Sequence, residues 1–440
     1  MNAQLAESRP LGPRRVAVVG AGWAGIAAAV HARRAGYEVQ VYEMAPRPGG
    51  RARSVRVDGI TLDNGQHILI GAYSATLELM REVGVDAAQL LRRLPLVLQY
   101  PDGRGLRLHG GPPVPDFVRA VLGRRGWGWG PRLSLLAHAA RWAAGGFACA
   151  PGLSVTELCR RLPRVVQAQL IEPLCIAALN TPAAQASAQV FLRVMRDALF
   201  GGPGSSDLLL PGQPLGSLLP EPAAAWLDAH GVPLYSGTRV SQLQADGPGW
   251  RVDGQSFDAV VLACSATEAA RLCRDIAPAW SSQAAELRYE PIVTVYLQCR
   301  GARLAQPMTA LDATAGEPAQ FVFDLGALGM AEGVFAFVVS GAREWVARGL
   351  DATAQATQAQ ALSAFAPSTW PVPPTLLHVS AEKRATFQCT PGLQRPPARI
   401  TRGLWAAGDY VAGPYPATLE GAVRSGRQAA QNADMQFVVP

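Results

Sequence analysis

A dinucleotide-binding fingerprint fills the segment Val16–Glu43. The apolar run Val16–Val19 has the composition of a strand that is buried on both faces, and it leads directly into the pattern G-x-G-x-x-G. The glycines of this pattern are Gly20, Gly22 and Gly25. In order, they permit a tight turn, let a pyrophosphate approach the backbone, and let a helix pack closely on the strand. Trp23 and Ala24 stand between the second and third glycines and are expected to contact the same nucleotide.

The segment after the glycines continues this pattern. Ile26–Ala35 is predicted to be a helix that ends at Gly36, and Tyr37–Tyr42 is predicted to be a second strand. The N-terminus of such a helix presents free N–H groups and a positive dipole end to phosphates. Glu43 follows Gly25 by 18 positions, where a carboxylate accepts hydrogen bonds from the ribose hydroxyls of an adenosine. Strand, glycines, helix, strand and acid in this order predict a Rossmann-like domain of the α/β class.

Composition excludes several classes of protein. With 440 residues, the chain is long enough for two or three domains. It is 49% hydrophobic, but no run reaches the about 18 uncharged apolar residues that a membrane-spanning helix needs. The N-terminal stretch also lacks the apolar core of a secretory signal. We therefore expect a cytoplasmic protein, and peripheral contact with the inner face of the membrane stays open.

The cysteine spacing and the distribution of charge argue against further kinds of site and partner. The seven cysteines are scattered and never spaced as C-x-x-C, which argues against a disulfide framework, a zinc site or a dithiol redox pair. The net charge is +7, but the arginines are dispersed rather than clustered with aromatic residues, and this argues against nucleic-acid binding. An affinity for anionic membrane surfaces is compatible with the same charge.

The segment after Glu43 narrows the choice of nucleotide. Pro48–Arg51 has the composition of a turn, and it is followed by two predicted strands, Ser54–Val57 and Ile60–Asp63, and a predicted helix, Ser74–Val83. NAD enzymes normally continue from the second strand into another helix. The Gly-Gly-Arg turn with a short β excursion resembles instead the FAD-dependent amine oxidase and phytoene desaturase superfamily.

This resemblance implies FAD as the cofactor and gives roles to several residues. Gly50 and Arg51 would contact the cofactor near its pyrophosphate, although Arg51 could also be a solvated loop charge. The segment Asp63–His67 would pass the flavin ring. The implied contacts within that segment are Gly65, Gln66 and His67. Val240 would touch the adenine side of the cofactor.

A second motif lies near the C-terminus. Trp405–Asp409 is predicted to be a strand that ends in Gly408 and Asp409, and a helix follows. Asp409 would accept a hydrogen bond from a ribityl or nearby hydroxyl of the flavin, whereas the alternative is a simple helix N-cap. Thr418 and Leu419 would direct backbone N–H groups of the helix towards the N1/O2 edge of the flavin, where negative charge collects on reduction.

The motifs divide the chain into two discontinuous units. The FAD-binding unit is expected to comprise residues 1–75, 205–265 and 385–440. The substrate unit is expected to be an α+β domain that comprises residues 76–204 and 266–384. Further strands of the FAD-binding unit are predicted at Gly231–Val240 and Trp250–Cys264. The substrate unit is predicted to hold a mainly helical part, 112–200, and one sheet from Ile292–Leu297, Gln320–Leu325 and Gly333–Ser340.

The stretch Arg124–Leu136, within the helical part, places tryptophans between arginines. This composition suits a membrane interface. The alternative is a glycine-rich surface loop in which Trp127 and Trp129 pack inward, and the sequence does not separate the two.

Several segments along the chain resemble one family more closely. They are Asp63–Tyr73, Glu172–Pro182, Phe191–Pro211, Glu382–Phe387 and Ala407–Gly426. Together they resemble the squalene-associated, FAD-dependent hydroxysqualene dehydroxylases of bacterial hopanoid synthesis, which are themselves similar to phytoene desaturases. The chain departs from that family at Ala412–Tyr415, which leaves the fine shape of the pocket open.

The resemblance implies a reductive reaction on a C30 isoprenoid, in which reduced FAD replaces the hydroxyl of hydroxysqualene with hydride to give squalene and water. Such a reaction needs a proton donor, a dry slot and an oriented flavin. His67 is the first candidate for the proton donor. Glu172, Asp197 and Asp207 could line the slot.

Other functions stay open from the sequence. A desaturase that oxidises squalene, phytoene or a related polyene would use the same flavin contacts, and a flavin-binding partner in an isoprenoid complex would have no turnover of its own. Amine oxidation is disfavoured, because Thr418 stands where amine oxidases of the superfamily carry a cage tyrosine and Lys383 does not match the lysine that they place by the flavin. The physiological electron donor and the oligomeric state also stay open.

Overall fold

The computed structural model describes residues 14–435, with side chains described as far as Asn432. Residues 1–13 and 436–440, at the two ends of the predicted FAD-binding unit, lie outside this range. Most of the N-terminal stretch that was predicted to lack a secretory signal is therefore also outside it. Among residues 14–435, no helix is long and apolar enough to cross a membrane.

Strands and helices both occur along the whole described range, often several of one kind in succession. In chain order, the strands are β1 (Arg15–Val19), β2 (Glu38–Glu43), β3 (Ser54–Val57), β4 (Ile60–Asp63), β5 (Leu69–Ile70), β6 (Leu91–Leu94), β7 (Val97–Gln99), β8 (Gly105–Arg107), β9 (Leu208–Pro211), β10 (Leu234–Ser236), β11 (Leu243–Asp246), β12 (Gly249–Val252), β13 (Gln255–Phe257), β14 (Ala259–Leu262), β15 (Tyr289–Gln298), β16 (Met308–Ala310), β17 (Phe321–Asp324), β18 (Val334–Val339), β19 (Thr375–Phe387), β20 (Arg399–Thr401) and β21 (Leu404–Ala406). The α-helices are α1 (Trp23–Arg34), α2 (Ser74–Glu82), α3 (Ala87–Leu90), α4 (Pro113–Leu122), α5 (Trp129–Ala144), α6 (Val155–Cys159), α7 (Arg164–Val166), α8 (Glu172–Leu179), α9 (Ala188–Leu199), α10 (Leu215–Leu218), α11 (Pro220–Ala229), α12 (Ala266–Cys273), α13 (Pro278–Ala285), α14 (Arg343–Arg348), α15 (Leu350–Ala364) and α16 (Leu419–Met435). A π-helical turn, Gln167–Ile171, precedes α8, and a 3₁₀ turn, Pro367–Thr369, follows α15.

A six-stranded sheet forms the centre of the nucleotide-binding unit. Its strand order is β10-β2-β1-β14-β21-β20. The pairs from β10 to β21 are parallel, and only the edge strand β20 runs antiparallel. The central strands consist of buried apolar residues, as expected for a parallel sheet that is covered on both faces. The predicted Rossmann-like α/β fold is therefore confirmed.

Helices α1 and α16 cross closely beside this sheet. Alanines make up much of α1, and Ala27, Ala28 and Ala29 are all fully buried. A Cβ atom added to Gly426 of α16 would lie 2.0 Å from the carbonyl oxygen of Ala24. The two backbones thus meet without side chains between them, and this contact holds the C-terminal helix against the glycine-rich turn.

The segment between β10 and β14 differs from the prediction of two long strands. Only Leu234–Ser236 of the first predicted strand joins the parallel sheet, and Val240 lies in the loop that follows. Strands β11, β12 and β13 form a separate antiparallel sheet. Asp253 and Gly254, both at positive φ, make the two-residue turn between β12 and β13. An Asp-Gly pair is a strong hairpin signal, and it splits the predicted strand.

The second unit is built on an antiparallel sheet of order β16-β17-β18-β15-β19. The strands predicted at Ile292–Leu297, Gln320–Leu325 and Gly333–Ser340 are β15, β17 and β18, so the prediction that they share one sheet is confirmed. Helix α15 packs on β15 and β19. The predicted helical part contains α4 to α9.

The division into two units stays a prediction, but two of its boundaries fall inside elements. The boundary at residue 75 lies within α2, which packs on α16 of the nucleotide-binding unit. The boundary at 385 lies within β19, whose 13 residues belong to the second sheet. Boundaries that follow whole elements would lie after α2 and after β19, because α2 packs on α16 and β19 pairs with β15 of the second sheet.

Candidate active site

The turn between β1 and α1 admits only glycine at two of its positions. A Cβ atom on Gly20, which has a φ of +106°, would lie 2.7 Å from the carbonyl oxygen of Ala263. A Cβ atom on Gly25 would lie 1.8 Å from the carbonyl oxygen of Gly20. Within residues 14–435, no side chain caps α1 at Gly22, so the first N–H groups of the helix face outward as an anion site.

A second glycine turn faces the first. Gly49 pairs with Gly22 in a parallel bridge, and its N–H donates to the carbonyl oxygen of Ala21 at 2.9 Å. A Cβ atom on Gly50 would lie 3.2 Å from the Cα atom of Gly22. The two turns therefore meet backbone to backbone at Gly22 and Gly50, and the absence of side chains there suits a pyrophosphate that must contact N–H groups directly.

Glu43 lies at the end of β2, beside the glycine turn. Its side chain accepts hydrogen bonds from the N–H of Ala21 at 2.7 Å and the N–H of Ala45 at 2.8 Å, and only 5% of the residue is exposed. Each carboxylate oxygen keeps a lone pair for a further donor. The backbone of Thr238 donates to the Glu43 carbonyl, which brings the loop that carries the buried Val240 to the same end of the sheet.

Arg51 and Asp409 form an ion pair across the site. Their Nη2 and Oδ1 atoms are 2.5 Å apart, and the Asp409 side chain is 8% exposed. Arg51 also donates from Nη1 to the carbonyl oxygen of Ala385 at 2.9 Å. Gly408, before Asp409, donates its N–H to Oγ of Ser425 at 2.8 Å. The sequence predicted a cofactor contact for each charge, and their pairing with one another was not predicted.

Thr418, rather than Asp409, caps α16. Its Oγ1 accepts a hydrogen bond from the N–H of Gly421 at 2.9 Å, and its hydroxyl donates to the carbonyl oxygen of Tyr415 at 3.0 Å. The alternative of Asp409 as a helix N-cap is therefore wrong. Leu419 begins the helix, and the direction of its first N–H groups towards the flavin stays a prediction.

Glu420 is a structural residue of the site that the sequence did not single out. It is fully buried and accepts hydrogen bonds from the N–H groups of Ala75 and Thr76 and from Oγ1 of Thr76, at 2.7–3.0 Å. Arg424 donates to it from the next turn at 2.7 Å. Glu420 thus fastens the start of α16 to the start of α2. A glutamate in the first turn of an otherwise apolar helix start was the signal in the sequence.

The loop Gly65–His67 closes the site on the side of the second sheet. Nδ1 of His67 is 2.7 Å from the carbonyl oxygen of Gly65, so this nitrogen carries a proton. Burial lowers the pKa of His67, the Arg51 charge adds to the effect, and the bond to Gly65 opposes it. Nε2 of Gln66 and Oγ1 of Thr294 are buried without a hydrogen-bond partner among the described residues.

A family model described as flavin containing amine oxidoreductase matches residues 23–433. The chain belongs to the flavin-containing amine oxidoreductase family. A protein from Rhodopseudomonas palustris named hydroxysqualene dehydroxylase is 29% identical to it, over 95% of this chain and 97% of that protein. A protein of the same name from Sinorhizobium fredii is 27% identical, over 96% and 98%. A crystal structure of an oxidoreductase from Methanosarcina mazei has the same fold, with a TM-score of 0.72 over 95% of this chain and 100% of that one, at 15% identity.

FAD is the cofactor of this family member, which is an oxidoreductase. The described residues fit that cofactor. The facing glycine turns would hold its pyrophosphate, and Glu43 would bind its adenosine ribose. The unpartnered polar atoms of Gln66 and Thr294 are suited to the polar edge of the flavin ring, because buried polar groups in native proteins normally have partners.

The other carboxylates that the sequence offered for the slot have different surroundings. Glu172 is exposed on α8. Partial burial alone would raise the pKa of Asp197, but hydrogen bonds from Arg193 and Arg196 outweigh it and the pKa is lowered. Asp207 pairs with Arg93 at 3.2 Å. Asp197 is thus ionised at neutral pH, and Glu172 faces solvent, so neither is suited to donate a proton inside a dry slot.

The segment Ala412–Tyr415, which departs from the family pattern, contacts the helical part through Tyr415. The ring of Tyr415 lies under the guanidinium of Arg193 at 5.3 Å and that of Arg424 at 4.9 Å. Tyr415 therefore joins α9 of the helical part to α16 at the flavin end of the site. This contact was not predicted, because cation–π partners distant in the chain leave no local pattern.

The two tryptophans of the arginine-flanked stretch have opposite environments. Trp127 is 4% exposed and donates from Nε1 to Oε1 of Gln169 at 2.9 Å, so it packs inward. Trp129 is 66% exposed at the start of α5. The inward-packing interpretation therefore holds for Trp127, and contact of Trp129 with a membrane stays a prediction.

Proposed function

We propose that the chain removes the hydroxyl group of hydroxysqualene reductively and gives squalene, as a step of hopanoid synthesis. The observation that carries the proposal is similarity over nearly the whole chain to two proteins named hydroxysqualene dehydroxylase. Those matches extend through both units, including the second sheet and the helical part, and not only through the nucleotide-binding fingerprint.

The proposed reaction breaks one C–O bond and forms one C–H bond. FAD, when bound in its reduced form, supplies the hydride. The protein has to supply a proton, so that the hydroxyl leaves as water, and it has to keep bulk water from the carbocation that forms. One hydroxysqualene, one proton and one hydride then give one squalene and one water, and the flavin is left oxidised.

His67 is the residue that we propose as proton donor. Its neutral ring holds a proton on Nδ1 towards Gly65, so Nε2 is the nitrogen left for the substrate. Protonated Nε2 would donate to the leaving hydroxyl, and the lowered pKa makes that imidazolium a stronger acid than an exposed histidine.

Two features disfavour amine oxidation, the activity for which the family is named. Thr418 uses its hydroxyl to cap α16 and offers no aromatic face to an amine. Lys383 is exposed on β19, so it does not provide a buried amine beside the flavin.

Product analysis tests this proposal against the desaturase alternative. The reduced holoenzyme is incubated with hydroxysqualene, and the oxidised holoenzyme is incubated with squalene or phytoene. We expect squalene from the first reaction and no new conjugated double bonds from the second. Conjugated products from the oxidised enzyme, together with unchanged hydroxysqualene from the reduced enzyme, would replace the proposal with the desaturase function.

A further inference from the structure

Helix α5 exposes an apolar stripe along its whole length. The exposed members of this stripe are Trp129, Leu133, Ala137, Ala140 and Ala144. Their spacing of four, four, three and four places them on one face of the helix. Trp129 is 66% exposed and Leu133 is 56% exposed. The opposite face is buried through Leu135 and Ala139, so α5 has a second apolar face that the protein does not cover.

The neighbouring helix α4 adds to this apolar surface. Val114 is 51% exposed and Leu122 is 36% exposed, and α4 packs directly on α5. We call the α5 stripe together with Val114 and Leu122 the α4–α5 surface.

The exposed charges that α4, α5 and the loop between them carry are all positive, and Arg124 of that loop is buried. Between Asp116 and Glu157 the sequence contains no acidic residue, and it contains five arginines. Asp116 itself is buried and accepts hydrogen bonds from the backbone of the preceding loop. At about 100° per residue, Arg132 and Arg141 lie on opposite edges of the stripe. Long cationic side chains at the edges of an apolar helix face can keep their charge in the headgroup layer while the face is immersed.

We propose that the α4–α5 surface docks on an anionic lipid bilayer, with α5 lying in the plane of the membrane. The partner must be apolar at the stripe and negative at its rim, and anionic lipids offer both. A second copy of this chain fits less well, because a two-fold contact would set the arginine rim of one copy against that of the other. The proposal goes beyond the proposed reaction and does not depend on it.

The docking is tested by co-sedimentation of the holoenzyme with phosphatidylcholine vesicles, with and without phosphatidylglycerol. We expect binding that needs phosphatidylglycerol and weakens at high salt. Leu133→Glu should reduce the partition coefficient between vesicles and water by about tenfold or more. It removes one apolar side chain that would be immersed in the bilayer, and it adds a negative charge. Ala137→Glu should have the same effect from a smaller change to the surface.

Leu362→Glu is the matched control, because Leu362 is a leucine on α15 that is 50% exposed. It should bind vesicles like the wild type. Flavin absorbance verifies that each variant is folded, and turnover of detergent-dispersed substrate is measured separately, so a failure of the proposed reaction is not mistaken for a failure of docking. Absence of binding by the wild type, or equal loss in Leu362→Glu, would overturn the proposal. So would a change from dimer to monomer in Leu133→Glu without vesicle binding.

Discussion

At the scale of single residues, Glu43 and Asp409 are buried carboxylates that we propose to contact the two ends of FAD. Glu43 is held by two backbone N–H groups, and Asp409 is held by the guanidinium of Arg51. Both side chains are therefore fixed before a ligand arrives, and this reduces the entropy that binding has to overcome. Sequence spacing identified both acids, but not their protein partners.

Replacing Glu43 should release the cofactor. Glu43→Ala removes the acceptors for the adenosine ribose and leaves the N–H groups of Ala21 and Ala45 without their partner. We expect the dissociation constant of FAD to rise by about 30- to 1000-fold, which corresponds to the loss of charge-assisted hydrogen bonds. The flavin content of the purified variant and a titration of the apoprotein with FAD measure this change in the dissociation constant. Glu38→Ala, at the exposed start of the same strand, should remain yellow, and equal flavin loss in both variants would contradict the assignment.

Asp63 should make stability depend on pH. Burial raises the pKa of Asp63 to about 6, although hydrogen bonds from the N–H of Leu215 and from Ser54 oppose this. The folded protein therefore binds more protons at this site than the unfolded chain between about pH 4 and pH 6. The free energy of unfolding falls as the pH rises through that window, by on the order of 2–3 kcal/mol.

Asp63→Asn removes this titration and keeps an oxygen that can accept both hydrogen bonds. Chemical denaturation should find the variant more stable than the wild type above about pH 6, with the difference vanishing near pH 4. Asp275→Asn, at an exposed site, should change stability at neither pH. A stability difference for Asp63→Asn that does not vary with pH would show that Asp63 is ionised throughout.

His67 should control the alkaline limb of the pH–rate profile, because the protonated ring is the active form. Because burial and Arg51 lower its pKa, the protonated form accumulates only below the ordinary range of histidine, about 6.5. We expect kcat to rise as the pH falls through this region, and His67→Ala to lose turnover while it retains bound flavin. His230→Gln, on the surface, should keep the wild-type profile. Full activity of His67→Ala would remove it as the donor.

At the scale of elements, the crossing of α1 and α16 joins the glycine-rich and C-terminal motifs that we propose to bind FAD. The backbones touch at Gly426 and Ala24, and Glu420 connects α16 to the N-terminus of α2. The N–H groups at the start of α1 and α16 are thereby set in one rigid arrangement. A polar carboxylate with four donors in a dry interior is costly to remove, because each donor would be left without a partner.

Gly426→Ala should separate these helices. The added Cβ would lie 2.0 Å from a carbonyl oxygen, so the backbone has to move. We expect a loss of about 2–4 kcal/mol in the free energy of unfolding, with weaker flavin binding. Gly130→Ala is the control, because a Cβ at this helical glycine has no neighbour within 4 Å. Thermal melts of both holoenzymes measure the effect, and equal melting temperatures would contradict it.

Short sequence patterns predicted the helices and strands well where a single pattern spans a single helix or strand. The glycine fingerprint, the two short strands after it and the strands of the second sheet all follow from runs of a few residues. The division of residues 231–264 was missed, since an Asp-Gly turn was not weighed against the apolar run around it. Glu420 was missed because its partners on α2 are 344 and 345 residues away in the chain.

At the scale of the whole molecule, the site is assembled from segments that are remote in sequence. Arg51 joins the first glycine turns to the C-terminal motif and to the end of β19. Tyr415 joins that motif to the helical part through Arg193. Pairings of this kind depend on the complete fold, and no spacing rule within one segment could predict them. The direction of electron flow is likewise not encoded in the flavin contacts, because oxidation and reduction use the same ones.

The most direct test of the proposed reaction follows the flavin during a single turnover. The purified holoenzyme is photoreduced without oxygen, hydroxysqualene is added, and the absorbance of oxidised flavin is recorded together with the product. We predict reoxidation with one squalene formed per flavin, and no reoxidation when squalene is added instead. A flavin that stays reduced with hydroxysqualene, in an enzyme whose oxidised form is reduced by squalene or phytoene, would contradict the reductive reaction.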